Sequence, residues 1–212
     1  APSPAPLFRR FSDFVLRRSP KPIQKGPSAF EMACGSRWDA GYLDALNWPV
    51  RSEQSQLVQS MITHGARLNA KDKDGLTPLH WATCTGRPET VQVLVEHGAT
   101  INNISAECGL SPLELACLKS PDSVRLLLEH GANTNEQTRD GLRTALHCAV
   151  MMASAAPSLN DYKRTTEIIR QLLAHGANPN IRDSKGRTAG EAAQWEDCPE
   201  LVPLLRKAEG KM

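Results

Sequence analysis

The chain has 212 residues, 40% of them hydrophobic, 23% charged and 5% aromatic, a composition suited to a globular protein packed through Leu, Val and Ala. No apolar run approaches the roughly eighteen residues that a membrane-spanning helix needs. The net charge of +2 hides an asymmetry, because residues 1–25 carry +5 and the rest of the chain −3. The mildly acidic balance of the larger part argues against a nucleic-acid platform, which needs a basic face.

Residues 1–22 form a basic segment rich in Pro and Arg, opening with Ala1-Pro2-Ser3-Pro4-Ala5-Pro6, which favours an extended lead. Behind it Leu7, Phe11, Phe14 and Val15 fall on one face of a candidate helix. That helix either caps the neighbouring part of the chain or serves as a basic amphipathic segment for a membrane surface, a partner groove or targeting. Residues 209–212 are a short polar tail.

The organising unit is clearest at residues 71–103. Asp74-Gly75 is a turn pair in which Gly supplies the left-handed conformation, and Thr77-Pro78 is an N-cap hydroxyl followed by a first-turn proline, so a helix starts at Pro78. Gly86-Arg87-Pro88 ends it, and a second helix runs to His97 with Val91, Leu94 and Val95 at i, i+3 and i+4 and Gly98 as the stop. Such a pair of short helices has an apolar face and nothing of its own to bury it against, so it needs neighbours of the same kind. They are present. His-Gly-Ala recurs at His64, His97, His130 and His175, and Gly65, Gly98 and Gly131 are spaced 33 residues apart. The triads Val58/Met61/Ile62, Val91/Leu94/Val95, Val124/Leu127/Leu128 and Ile169/Leu172/Leu173 all stand seven, four and three residues before these glycines.

A 33-residue period, the start Asp74-Gly75-Leu76-Thr77-Pro78-Leu79-His80-Trp81-Ala82 and the end His97-Gly98-Ala99 with Asn102 resemble ankyrin repeats. The resemblance implies an all-α solenoid of about five helix-turn-helix repeats with short β-turn fingers, at about 23–70, 71–103, 104–136, 137–180 and 181–208. The first repeat is degenerate, with Gly26-Pro27-Ser28-Ala29-Phe30 at its start and sixteen extra residues between its helices that hold Trp38, Tyr42 and Trp48. That aromatic insert reads as a lid over the open end of the stack or a ligand-binding loop. The third repeat puts Glu114 where the motif has His. The fourth has one extra residue before Thr144 and eleven more around Ala153–Lys163, a small polar stretch expected to protrude as a flexible loop. In the fifth, Pro203 falls near a helix start, where it does little damage.

All six histidines lie at repeat positions, which is a structural signature rather than a catalytic or metal-binding one; in ankyrin proteins the Thr-Pro-Leu-His histidine braces neighbouring turns. The six cysteines form no Cys-x-x-Cys pair, so a reducing compartment, the cytoplasm or nucleus, is expected. No metalloprotease, nucleophile-elbow, phosphate-loop or dinucleotide signature occurs, and no cofactor or small-molecule substrate is expected. The family resemblance implies a non-catalytic adaptor, scaffold or inhibitor, monomeric alone, that binds a protein or peptide in a concave groove. The alternatives are the substrate-reading part of a ubiquitin-ligase receptor and the regulatory part of a larger enzyme or channel. Matching the family's groove positions gives Lys73, Asp74, Leu76, Glu107, Leu110, Arg139, Asp140 and Leu142 on the turns, and Leu118, Lys119, Met151, Met152 and Trp195 on first helices. Leu76, Leu110 and Leu142 are expected to form one outward-facing apolar file, with Leu118, Met151 and Trp195 part of a second.

Overall fold

The computed structural model describes residues 50–63, 66–71, 75–106, 109–155 and 158–210. The basic N-terminal segment, the first-repeat start at Gly26, the aromatic insert from Trp38 to Trp48, and the tail residues 211 and 212 lie outside them. Among the described residues there are nine helices and no strand. They are α1 (Val50–Thr63), α2 (Pro78–Cys84), α3 (Pro88–Glu96), α4 (Pro112–Cys117), α5 (Pro121–Glu129), α6 (Ala145–Ala155), α7 (Leu159–Ala174), α8 (Ala189–Trp195) and α9 (Val202–Ala208).

The helices stack in two layers. In the inner layer α2 packs on α4, α4 on α6 and α6 on α8, while in the outer layer α1 packs on α3, α3 on α5 and α5 on α7. Within repeats α2 pairs with α3, α4 with α5, α6 with α7 and α8 with α9. One apolar core runs along the stack between the layers, through Val58, Leu79, Leu94, Leu113, Leu127, Leu146, Ile169, Leu172, Leu201 and Leu205. Because each pair contacts only its neighbours, the core is a line of local interfaces.

The inner helices begin alike. At α4 the Ser111 amide donates to Glu114 Oε2 at 2.7 Å and the Glu114 amide to Ser111 Oγ at 3.3 Å; at α8 the Thr188 amide donates to Glu191 Oε2 at 2.9 Å and the Glu191 amide to Thr188 Oγ1 at 3.2 Å. At α2 and α6 a histidine takes the carboxylate's part, with His80 Nδ1 accepting from the Thr77 amide at 3.1 Å and His147 Nδ1 from the Thr144 amide at 3.3 Å. Each is a capping box that satisfies amides left free at a helix start.

The outer helices end alike too. His97, His130 and His175 turn Nδ1 back to the carbonyls of Val93, Leu126 and Gln171, at 2.7, 2.8 and 2.9 Å, and so close the last turn. Beyond them an asparagine ladder ties repeat to repeat. Asn69 Oδ1 accepts from the Thr100 amide at 2.8 Å, Asn102 Oδ1 from Asn133 at 2.8 Å and Asn135 Oδ1 from Asn178 at 2.7 Å.

The insertion in the fourth repeat is not a protruding loop. It lengthens both helices: α6 has 11 residues against 7 in α2, and α7 has 16 against 9 in α3, which accounts for all eleven extra residues. Alanine-rich sequence favours helix, and Ser158 accepts from the Asp161 amide at 3.2 Å as an N-cap, so the stretch builds a helical hairpin. The extension leans on the last repeat, where Ser154 Oγ donates to Glu196 Oε2 at 3.1 Å.

Candidate functional site

The last three fingers are closed by a backbone bond from the residue that opens each of them to the carbonyl just before the N-cap. These bonds run from Ser105 to Leu110 at 3.0 Å, from Thr138 to Arg143 at 2.7 Å and from Asp183 to Arg187 at 2.8 Å. The residue before the N-cap is thereby drawn into the stack. Leu76, Leu110 and Arg143 are buried there and Arg187 half-buried. The outward file expected of Leu76, Leu110 and Leu142 therefore does not exist: Leu110 is only 2% exposed, and Arg143, not Leu142, fills the corresponding slot in the fourth finger.

The physical reason is the extra residue before Thr144. It forces two consecutive left-handed residues, Gly141 at φ 105° and Leu142 at φ 51°, and places Leu142 on the finger tip with 49% of its surface exposed. The tip is held firmly. The Ser184 amide donates to the Gly141 carbonyl at 2.8 Å, and Gln137 Nε2 donates to the carbonyls of Leu142 at 2.7 Å and Arg182 at 3.2 Å. Glycine is required where fingers touch, since a Cβ on Gly75 would lie 2.9 Å from Ala106.

On the inner-helix side the second expected file is corrected at Leu118, while Trp195 stands exposed. Leu118, 8% exposed, is the C-cap of α4 and packs with Leu110, Leu115 and Met152 into a small apolar cluster of its own, beside Cys84. Leu118 and Met152, expected to face a partner, instead fill a seam between finger and helix. Lys119 is exposed, Met151 half-buried, and Trp195, at the end of α8, is 74% exposed. Arg139 and Asp140 are exposed on the fourth finger. Lys73, Asp74 and Glu107 lie outside the described residues.

Family models match along the same frame. Ankyrin repeats, in three copies, match over residues 29–105 and 46–138, and a further ankyrin repeat matches over residues 142–184. The chain belongs to the ankyrin-repeat family. No curated protein matches it. Ankyrin repeats are generally protein-protein interaction modules. The structure carries the ankyrin pattern on past residue 184, through the capping box at Thr188 and the α8–α9 pair.

The ankyrin histidine brace is visible at His147. A backbone amide can only donate, so Nδ1 accepts from Thr144, the proton sits on Nε2, and Nε2 donates to the Arg187 carbonyl of the next finger at 3.1 Å. Burial holds this imidazole's pKa below its ordinary value, partly offset by the Arg187 carbonyl and Asp183. Glu114 departs from the pattern. Its Oε2 serves the capping box, but Oε1 is buried without a partner, and burial raises the carboxyl from 4.5 to about 7 against the lowering effect of the Ser111 bonds. Cys117 and Cys148, both buried thiols, are pushed up by burial and by the nearby Glu114. Thiols so shifted are poor nucleophiles and behave as small core hydrophobes.

Asp183 organises the fifth finger. Its Oδ1 accepts from the amides of Lys185 and Arg187, both at 2.9 Å, and Oδ2 from Arg187 Nε at 3.2 Å and Nη2 at 2.9 Å. Burial would raise this carboxyl, yet those donors hold it below its usual range. Among the described residues, no group of three or more His, Cys, Asp or Glu side chains could hold a metal ion, and no helix is long and apolar enough to cross a membrane.

Proposed function

We propose that this ankyrin array acts as a non-catalytic adaptor, scaffold or inhibitor that presents its finger and inner-helix face to a segment of a partner protein. The carrying observation is where apolar surface is left open: among the described residues the exposed large hydrophobics are Leu142 on a finger and Trp195 on an inner helix. The outer helix α5, by contrast, offers water a charged row in which Arg125 pairs with Glu129 at 3.3 Å and Asp122 at 3.8 Å. An exposed tryptophan on a rigid frame suits an anchor, because little conformational freedom is lost on binding. Lys119, Met151, Arg139 and Asp140 supply the adaptable and charged surroundings. The reading carries a cytoplasmic or nuclear location with it, favoured by free thiols at Cys84, Cys117, Cys148 and Cys198.

The test is capture of partners from cell lysate by the full chain, by a Trp195→Ala, Lys119→Glu variant and by an Arg125→Ala, Glu129→Ala variant of the outer face. The expected outcome is a partner lost only with the first variant. A partner retained by the first and lost by the second would overturn the reading.

A further inference from the structure

The fourth finger spends backbone strain on displaying a leucine. Left-handed backbone carries a steric cost for leucine that glycine avoids, so residue 142 at φ 51° is a poor place for a bulky side chain unless that side chain is used. Leu142 is nonetheless exposed, and its tip is immobilised by the Gly141–Ser184 and Gln137 bonds. An apolar knob on a preorganised mount results.

Charge says what kind of surface would meet it. The fourth and fifth fingers, residues 138–143 and 182–187, carry five cations and two carboxylates, or +3, whereas residues 71–76 of the second finger sum to zero and residues 104–110 of the third to −1. From residue 26 onward the whole chain is −3, so these two fingers are a basic island on an acidic array. Three of the five cations already have partners: Arg143 Nη1 donates to the Asp140 carbonyl at 3.3 Å, Arg182 pairs at the surface with Glu191 at 2.9 Å and Arg187 with Asp183 at 2.9 Å. Arg139 and Lys185 are exposed and form no ion pair among the described residues. Arg139 stands three residues before Leu142 on the fourth finger, and Lys185 follows Ser184, whose amide donates to the Gly141 carbonyl.

We propose that the paired tips of the fourth and fifth fingers dock an acidic peptide segment, with Leu142 inserted against an aliphatic or aromatic residue of that segment and Arg139 and Lys185 facing its carboxylates. This rests on the reading that the array binds protein, and it names the chemistry of what is bound. A peptide fits better than a nucleic acid, because neither finger carries an aromatic side chain on which a base could stack, and an exposed leucine gives a phosphate backbone nothing.

The experiment is selection of twelve-residue peptides from a random phage-displayed library on the full chain, followed by solution affinities of the enriched peptides. Three variants are compared: Leu142→Gly, Arg139→Glu with Lys185→Glu, and Trp195→Ala. Glycine is at ease at φ 51°, so Leu142→Gly keeps the fold, with circular dichroism and Tm as the control. The expected result is enrichment of peptides of net charge −3 or more negative that carry a bulky apolar residue. They should bind at least tenfold more weakly to Leu142→Gly and to the double charge reversal, and lose affinity as salt rises. Peptides that depend on Trp195 and ignore both finger variants would overturn this inference while leaving the proposed function standing. Failure to enrich any peptide, or enriched peptides indifferent to all three variants, would count against both. Poly-U RNA bound tightly by the wild type and equally by Leu142→Gly would overturn it in favour of a simple polyanion site.

Discussion

Glu114→Gln tests the energetics of the stack most directly. In the folded chain the carboxyl is raised from 4.5 to about 7, chiefly by burial. Because the folded pKa lies above the unfolded one, the neutral acid is favoured on folding. Stability is therefore full below about pH 4.5 and is lost as pH rises to and through 7. At about 1.36 kcal/mol per unit, the ionised carboxylate costs the fold about 3 kcal/mol at pH 8, and under about 1 kcal/mol of that has appeared by pH 5. Glutamine cannot ionise but keeps an oxygen for the Ser111 amide. Any fixed penalty from its unpaired amide group is the same at every pH, so it cancels in the pH dependence. Urea denaturation of both proteins at pH 5, 6, 7 and 8 should therefore show the difference in unfolding free energy moving in favour of Glu114→Gln by roughly 2.5 kcal/mol across the range. Parallel profiles would refute the reasoning, since they would mean that water reaches Oε1 and the burial cost is not real.

Three further outcomes are expected. His147→Ala deletes a capping-box acceptor and the donor to the Arg187 carbonyl, and should lower stability by about 2–3 kcal/mol in urea denaturation. Asp183→Ala strips a half-buried Arg187 of its carboxylate and should cost about 3 kcal/mol at pH 7. Since the folded pKa of Asp183 lies below its unfolded value, the stabilisation is present above about pH 4 and lost below it, so wild type and Asp183→Ala should converge in acid. Trp195→Ala, by contrast, should leave Tm within about 2 °C of wild type by circular dichroism, because a side chain 74% exposed buries little.

What the sequence determined by itself is the repeat frame. Period, cap and stop are local chemistry: a proline with its preset φ opens a helix and a His-Gly pair closes one, so the helix starts at Pro78 and Pro88 were legible residue by residue. The buried triads came from i, i+3, i+4 spacing, which fixes which side of a helix faces the stack. Only the tertiary structure decided the faces of the fingers and the fate of the insertions. Leu76, Leu110 and Leu142 look alike because each follows a glycine, but the finger is closed from its other end, at the N-cap. One extra residue therefore hands the buried slot to Arg143 and throws Leu142 outward. Likewise the small polar run around Ala153–Lys163 reads as a loop by composition, yet it extends α6 and α7, and Ser154 on that extension meets Glu196 of the last repeat. Leu118 and Met152 are buried for the same kind of reason. Apolar residues left outside one repeat are covered when the next repeat brings its own beside them, and that depends on how helices sit side by side.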